Sequence, residues 1–188
     1  MRKIFFIIPL IILVLGGCSD SSGPTNEYGL YKYSHIEEES IEVYGKAGEE
    51  LPESEWDESI NTAKEAFDNE LASFEVLKLK LMENTFEAIK GNQSEATPYI
   101  MKGDTIVGLI ISGSDTLKIN LALQIDNKTL EFHQYSFVVQ KQGQGTEFES
   151  GSNIGGYEEI SHPLMQEIQS LKSDEYIATF FRKFRYKK

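Results

Sequence analysis

The second half of the chain alternates apolar and polar residues with a period of two, which predicts a series of β-strands. In residues 116–125 the alternation places five aliphatic side chains on one face: Leu117, Ile119, Leu121, Leu123 and Ile125. Strands are also predicted at 30–36, 40–44, 77–81, 85–90, 99–102, 105–112, 129–139, 146–149 and 176–186. In 129–139 the apolar face changes phase, which predicts either a bulge or a strand that is covered on both sides. Short turns between the strands predict an antiparallel meander.

Two segments have the period of a helix. Residues 52–73 carry apolar side chains at intervals of three and four, which predicts an amphipathic helix with Ser54 as its cap. A shorter helix is predicted over 161–172, with Pro163 in its first turn. Residues 91–98 and 142–156 are polar and predict loops.

The resulting fold class is mainly β. An antiparallel meander leaves exposed strand edges unless it closes, and closure into a barrel removes them. We therefore expect a barrel of eight or nine strands, with one amphipathic helix in the N-terminal half and one short helix before the last strand.

The N-terminus has a different pattern. Arg2 and Lys3 precede an apolar run over residues 4–15 that only Pro9 interrupts, and Gly16-Gly17-Cys18 follows. The run is too short to span a bilayer, since a spanning helix needs ~20 apolar residues. A basic start, an apolar stretch and small residues before a cleavage point are typical of an export signal.

The small residues before Cys18 resemble the lipobox of bacterial lipoproteins. That resemblance implies a signal peptide at 1–17, cleavage before Cys18, lipidation of its sulfur and acylation, including palmitate, of the new terminus. Residues 18–27 would form a flexible tether and residues 28–188 the folded domain. Ser19 stands where inner-membrane retention signals carry aspartate, so the resemblance favours the outer membrane.

Composition limits the possible partners. Cleavage would remove Arg2 and Lys3 and leave 16 basic against 30 acidic residues, a net charge of −14. Nucleic-acid binding is not expected at that charge, because neutralising phosphates dominates such affinity. Five cations lie within residues 182–188. They predict either contact with anionic headgroups or, as the favoured interpretation, a charged strand end that aids solubility.

The predicted strands resemble those of the lipocalin-like lipoproteins of bacteria. The similarity rests on five segments in the same order as in that family, covering most of residues 28–188: 29–33, the hairpin 76–86, the Y-x-x-x-G-D-x-I segment 99–106, the turn 126–130 and the T-F-x-R strand 177–182. Tyr31 stands where that family prefers tryptophan. The resemblance implies a calycin-type barrel that often holds a small apolar ligand, and it carries over no catalytic residues.

No chemistry of catalysis or metal binding is indicated. The three histidines, His35, His133 and His162, are scattered without the spacing of metal ligands. No nucleophile elbow, phosphate loop or dinucleotide fingerprint is present. The sequence therefore predicts a protein that is not an enzyme and has no cofactor.

Two functions remain open at this point. The first is a membrane-anchored lipoprotein whose barrel binds a small apolar ligand. Its interior would be lined by Leu79, Leu117, Ile119, Leu121, Leu123 and Phe132. The alternative is an envelope lipoprotein with a filled core that acts through protein–protein interaction. An apolar cavity of ~300 Å³ or more would distinguish the first from the second.

Overall fold

The computed structural model describes residues 28–113 and 115–188. The predicted signal peptide, the tether and Cys18 lie outside the described residues. Three short 3₁₀ turns, at Lys46–Gly48, Glu53–Glu55 and Ile168–Ser170, accompany the regular elements. The strands and helices are β1 (Gly29–Tyr44), α1 (Glu58–Val76), β2 (Lys78–Leu81), β3 (Thr85–Lys90), β4 (Gln93–Lys102), β5 (Thr105–Ser112), β6 (Asp115–Asp126), β7 (Thr129–Gln140), β8 (Glu147–Gly151), α2 (Gly156–Glu167) and β9 (Tyr176–Lys187).

Eight of these strands form a closed antiparallel barrel. Going round it, the order is β1, β2, β3, β4, β5, β6, β7 and β9, and β9 pairs again with β1. The join between β6 and β7 is short, running from Leu123 opposite Glu131 to Asp126 opposite Thr129. The ninth strand, β8, pairs with β7 outside the barrel. The predicted mainly β fold with a barrel and two helices is confirmed.

Strand β1 runs through two parts of the molecule. Its first residues pair with β2, and residues 32–44 pair with β9. Two register shifts, between Tyr33 and His35 and between Ile36 and Glu38, bend the strand where the barrel ends. The sequence predicted two strands here, and the prediction is wrong because bulges absorb the irregularity without breaking the ladder.

Beyond the barrel, the far halves of β1, β9 and β7 continue as an open sheet whose edge strand is β8. Helix α1 packs on one face of this sheet and α2 on the other. Because strand side chains alternate between faces, each of the two faces of β7 and β9 supplies a row of residues to one helix. The covering of both faces explains the phase change within residues 129–139, which the sequence left open between a bulge and double covering.

Helix α1 begins later than predicted. The carboxylate of Asp57, not the hydroxyl of Ser54, caps it by accepting a hydrogen bond from the backbone N–H of Ile60 at 2.9 Å. Ser54 instead lies in a separate 3₁₀ turn. The apolar stripe is as predicted, with Ile60, Ala63 and Phe67 buried.

Strand β6 contains a bulge that the alternation of apolar and polar residues over 116–125 did not predict. Ile106 pairs with Ala122 while its neighbour Val107 pairs with Asn120, so Leu121 is the extra residue. Ala122 is therefore buried in the barrel, although the sequence placed it opposite the leucines. Gly108 makes room for the bulge, because a β-carbon there would lie 2.7 Å from Cδ1 of Leu121.

Two further boundaries differ from the prediction. Residues 93–98, predicted as a polar loop, form the first half of β4. Their side chains are mostly exposed, so no apolar period marks them. Helix α2 begins at Gly156 rather than near residue 161, and Pro163 lies inside it.

Three apolar clusters hold the fold together, and every member lies between residues 31 and 186. The described residues 28–188 therefore contain all three clusters. The barrel cluster comprises Tyr31, Leu79, Leu81, Phe86, Tyr99, Ile106, Ala122, Leu130, Phe132, Phe184 and Tyr186. The α1 cluster comprises Val43, Ile60, Ala63, Phe67, Val138, Tyr176, Ala178 and Phe180, and the α2 cluster comprises Tyr135, Phe137 and Phe181 with Tyr157, Ile160 and Leu164 against them.

Candidate functional site: the barrel interior and the outer surfaces

The barrel interior is filled by side chains. Seven members of the barrel cluster have an exposed fraction of 0%, so no space that admits a water-sized sphere borders them: Tyr31, Leu79, Ile106, Ala122, Leu130, Phe184 and Tyr186. Aromatic rings from α1 complete the filling, since Phe74 stacks on Phe184 with 4.8 Å between ring centroids. An interior packed in this way has the density of an ordinary protein core.

The six residues predicted to line a cavity do not come together in one. Leu79 and Phe132 are buried in the barrel cluster, and Leu121 packs against it. Ile119 and Leu123 are only partly buried. Leu117 is 57% exposed near the tip of the β5–β6 hairpin. Leu123 lies opposite Glu131 and so faces outward, because Leu130 and Phe132 on either side of Glu131 face inward.

A group of polar contacts lies between the barrel cluster and the α1 cluster. The buried guanidinium of Arg182 donates to the carbonyl oxygen of Phe67 at 3.0 Å and to the carboxylates of Glu39 and Asp68. Its charge also lies 4.3 Å from the centroid of the Phe67 ring. Arg182 therefore fixes the middle of α1 against β9.

The pKa of Asp68 reflects this contact. Burial alone would raise it, but hydrogen bonds from Lys64 and Arg182 outweigh burial and hold the pKa of Asp68 below its usual value. The ionised form is thus stabilised in the fold.

A second polar network lies on the outward face of β7 and β9. Buried His133 contacts Glu131 through its Nε2 at 2.8 Å, and Arg185 donates to the other oxygen of Glu131. The ring of His133 meets that of Phe181 edge-on. Of the three histidines, the described structure brings none close to another in a set that could hold a metal ion.

The C-terminal cations are not a charged tail. Arg182, Lys183 and Arg185 lie in β9, a strand with neighbours on both sides, and each forms an ion pair with an acidic residue. The favoured interpretation, a strand end that blunts an edge, is therefore wrong for these three residues. Only Lys187 and Lys188, at the end of the strand, are exposed.

An open pocket with both apolar and polar walls lies beside the β8 edge. Its volume is about 180 Å³, below the ~300 Å³ at which small-molecule sites begin. Phe137 and Val139 of β7 and Ile160 and Leu164 of α2 supply its apolar walls. Phe148 of β8 contributes to its rim, but the ring lies opposite Val138 in the ladder, so it points to the α1 face of the sheet and is 59% exposed there.

Strand β8 itself is the free edge of the sheet. It pairs with β7 alone, through residues 147–151, so one row of its backbone N–H and C=O groups has no strand beside it. Glu147 and Glu149 flank Phe148, and both carboxylates are exposed. This edge combines unpaired backbone groups, an exposed ring and negative charge. The sequence predicted a short strand at 146–149 but gave no signal that it would be an edge.

Among the residues that the structure describes, no helix is both long and apolar enough to cross a bilayer. In the comparisons with known proteins, the chain matches no family model, no curated protein and no solved structure.

Proposed function

We propose that the chain is a lipid-anchored, non-catalytic protein of the bacterial envelope that acts by binding another protein. The observation that supports this choice over ligand carriage is the filled barrel, in which seven core side chains have an exposed fraction of 0%. A filled barrel of this kind serves as a rigid support. Its function then depends on its outer surface.

The binding site we propose is the β8 edge together with the adjoining pocket. An extended segment of a partner would add a strand to β8 through backbone hydrogen bonds. Alternate side chains of that segment would meet Phe148 on the α1 face and the pocket walls Val139 and Ile160 on the α2 face. Because Glu147 and Glu149 repel a second copy of the same edge, the site favours a partner strand that carries lysine or arginine.

A photo-crosslinking amino acid at position 148 tests this site in living cells. We expect one discrete crosslinked product there and none from position 111, since Ile111 is equally exposed but lies on the β5–β6 hairpin. The product should disappear with the double variant Glu147→Lys/Glu149→Lys. Products of equal yield at both positions, or a product insensitive to charge reversal, would contradict the proposal.

The anchor is tested separately. We expect labelled palmitate to be incorporated into the wild-type chain and not into Cys18→Ala, and the wild type to fractionate with the outer membrane. If the expressed protein keeps residues 1–17, or takes no label, the lipid anchor is wrong while the β8 site remains open to its own test.

A second function, binding of a small apolar ligand, has one observation in its favour. Ile119 and Leu117 pair with Gly108 and Ile110, on the same face of the β5–β6 hairpin that carries buried Ile106, yet they are incompletely covered. A ligand at that place would lie against the hairpin outside the packed interior. Saturable binding of an apolar dye, weakened by Leu117→Asp but not by Phe148→Asp, would support this function.

A further inference from the structure

Three lysines form a row across neighbouring strands on the outside of the barrel. In the ladder, Lys32 of β1 lies directly opposite Lys78 of β2 on one side and Lys187 of β9 on the other. All three side chains are exposed. They point away from the barrel, because the neighbouring positions Tyr31, Leu79 and Tyr186 belong to its core.

Considered by itself, this row of like charges lowers the stability of the folded state. Side chains directly opposite each other in antiparallel strands lie ~5 Å apart, and like charges in such positions destabilise the pair. Lys32 takes part in two of these contacts. Within the described part of the chain, none of the three ammonium groups has a carboxylate partner, whereas Lys80 in the next row is paired with Glu87.

The position of the row relates it to the anchor. The described chain begins at Tyr28, only four residues before Lys32, which corresponds to ~13 Å along a strand. The predicted lipidation site, Cys18, lies only ten positions before Tyr28. Exposed Tyr28 and Leu30 lie between the tether and the row. Lysines beside an exposed aromatic and an aliphatic side chain suit the interface of a bilayer.

The net charge of residues 28–188 determines which face of the domain can approach an anionic membrane. Residues 28–188 carry 16 basic and 28 acidic residues, so an anionic membrane repels most of the surface. A face with unpaired cations is the one that can approach such a membrane closely. Each lysine near an anionic surface raises the docked population about fivefold, so three raise it by on the order of 100-fold.

We propose that the row Lys32, Lys78 and Lys187 docks the barrel against the anionic headgroups of the membrane that holds its anchor. This docking rests on the proposed anchor, and it fixes the direction in which the body faces. Strand β8 lies outside the barrel, attached to the far half of β7, so the docked orientation leaves the proposed partner site accessible.

The test does not depend on lipidation. Residues 19–188 with an N-terminal hexahistidine replace the lipid anchor by a nickel-chelating lipid, and this segment contains all three apolar clusters. Vesicles are either zwitterionic phosphatidylcholine or phosphatidylcholine with roughly one third phosphatidylglycerol. A water-soluble amine reagent and mass spectrometry then give the modification rate of each lysine.

On anionic vesicles we expect the three row lysines to be modified roughly 5- to 10-fold more slowly than on zwitterionic ones, while exposed Lys118 is unchanged. High salt should abolish the difference, because it screens surface charges. Equal rates on both vesicles would overturn the proposal. Protection produced equally by free inorganic phosphate would show an anion site and not a membrane surface, and would also overturn it.

Two triple variants that each lose three positive charges distinguish an effect of the row from an effect of the net charge. Lys80 and Lys128 lie beside the row, so anionic vesicles should protect them as well, and Lys32→Gln/Lys78→Gln/Lys187→Gln should remove that protection. Lys46→Gln/Lys118→Gln/Lys172→Gln, at exposed positions elsewhere, should leave it intact. Equal effects of the two variants would contradict docking through the row. The single variant Lys32→Gln should raise the melting temperature while it weakens docking, which excludes misfolding as the cause.

Discussion

The barrel and the open sheet share the strands β1, β7 and β9, but they differ in whether their strand edges are paired. In the barrel, β1, β7 and β9 are joined by five further strands, and all the side chains of the barrel cluster are buried. In the open sheet, the same strands are covered by a helix on each face and end at an unpaired edge, β8. The comparison indicates that closure buries the apolar side chains, whereas the open half leaves a strand edge and the ring of Phe148 accessible.

The largest effect should come from the barrel. Phe184→Ala removes a fully buried ring that stacks on Phe74, and we expect a loss of ~3–5 kcal/mol in the free energy of unfolding. In the open half, Phe137→Ala should cost less, toward the lower end of that range, because the neighbouring pocket lets side chains relax. Urea denaturation measures both. A larger loss for Phe137→Ala would reverse the comparison.

The contact between the halves should come next. Arg182→Gln removes the buried charge and its hydrogen bonds to the carbonyl oxygen of Phe67 and the carboxylate of Asp68, and we expect a loss of ~2–4 kcal/mol in the free energy of unfolding. The matched variant Lys183→Gln, in the adjacent residue of the same strand, removes only a surface pair with Glu38 and should cost less than ~1 kcal/mol. Similar losses for the two variants would mean that Arg182 does not join the halves.

Acid should weaken the same contact. The pKa of Asp68 is lower in the fold than its usual value of 3.8, so its contribution is complete above that value and is lost as pH falls through the folded pKa. The stability difference between wild type and Asp68→Asn should therefore be constant near neutral pH and shrink below about pH 4. Thermal unfolding across this range measures the difference. A constant difference down to about pH 2 would contradict the assignment.

The smallest effect on stability should be at the exposed edge. Phe148→Asp replaces a ring that is mostly in solvent, and surface changes of this kind usually alter the free energy of unfolding by less than ~0.5 kcal/mol. The same change should abolish crosslinking of a partner at neighbouring positions of β8. A loss of stability as large as that of Phe137→Ala would show that Phe148 is part of the core and not a binding residue.

The sequence predicted the architecture because strand alternation and tight turns are local signals. It failed where a tertiary contact decides the outcome. Nothing local shows that Leu121 bulges over Gly108, so the predicted face of β6 was wrong at Ala122. Likewise Arg182 belongs to a cationic run in the sequence, and only the packing of α1 on β9 shows it as a buried group with several partners.

The candidate sites were harder to predict than the fold. Leu79 and Phe132 were predicted to line a cavity and are buried, but the sequence does not show whether an interior is open or filled, since apolar residues face inward in both cases. The β8 edge depends on the order of strands. The lysine row depends on register, because Lys32, Lys78 and Lys187 are far apart along the chain.

The filled barrel is tested most directly by native mass spectrometry of residues 19–188 after incubation with a total lipid extract of bacterial membranes. We predict the mass of the bare polypeptide, and no small molecule in an organic extract of the repurified protein. A stoichiometric adduct that survives repurification and is lost on unfolding would contradict a filled interior and restore ligand binding as the primary function.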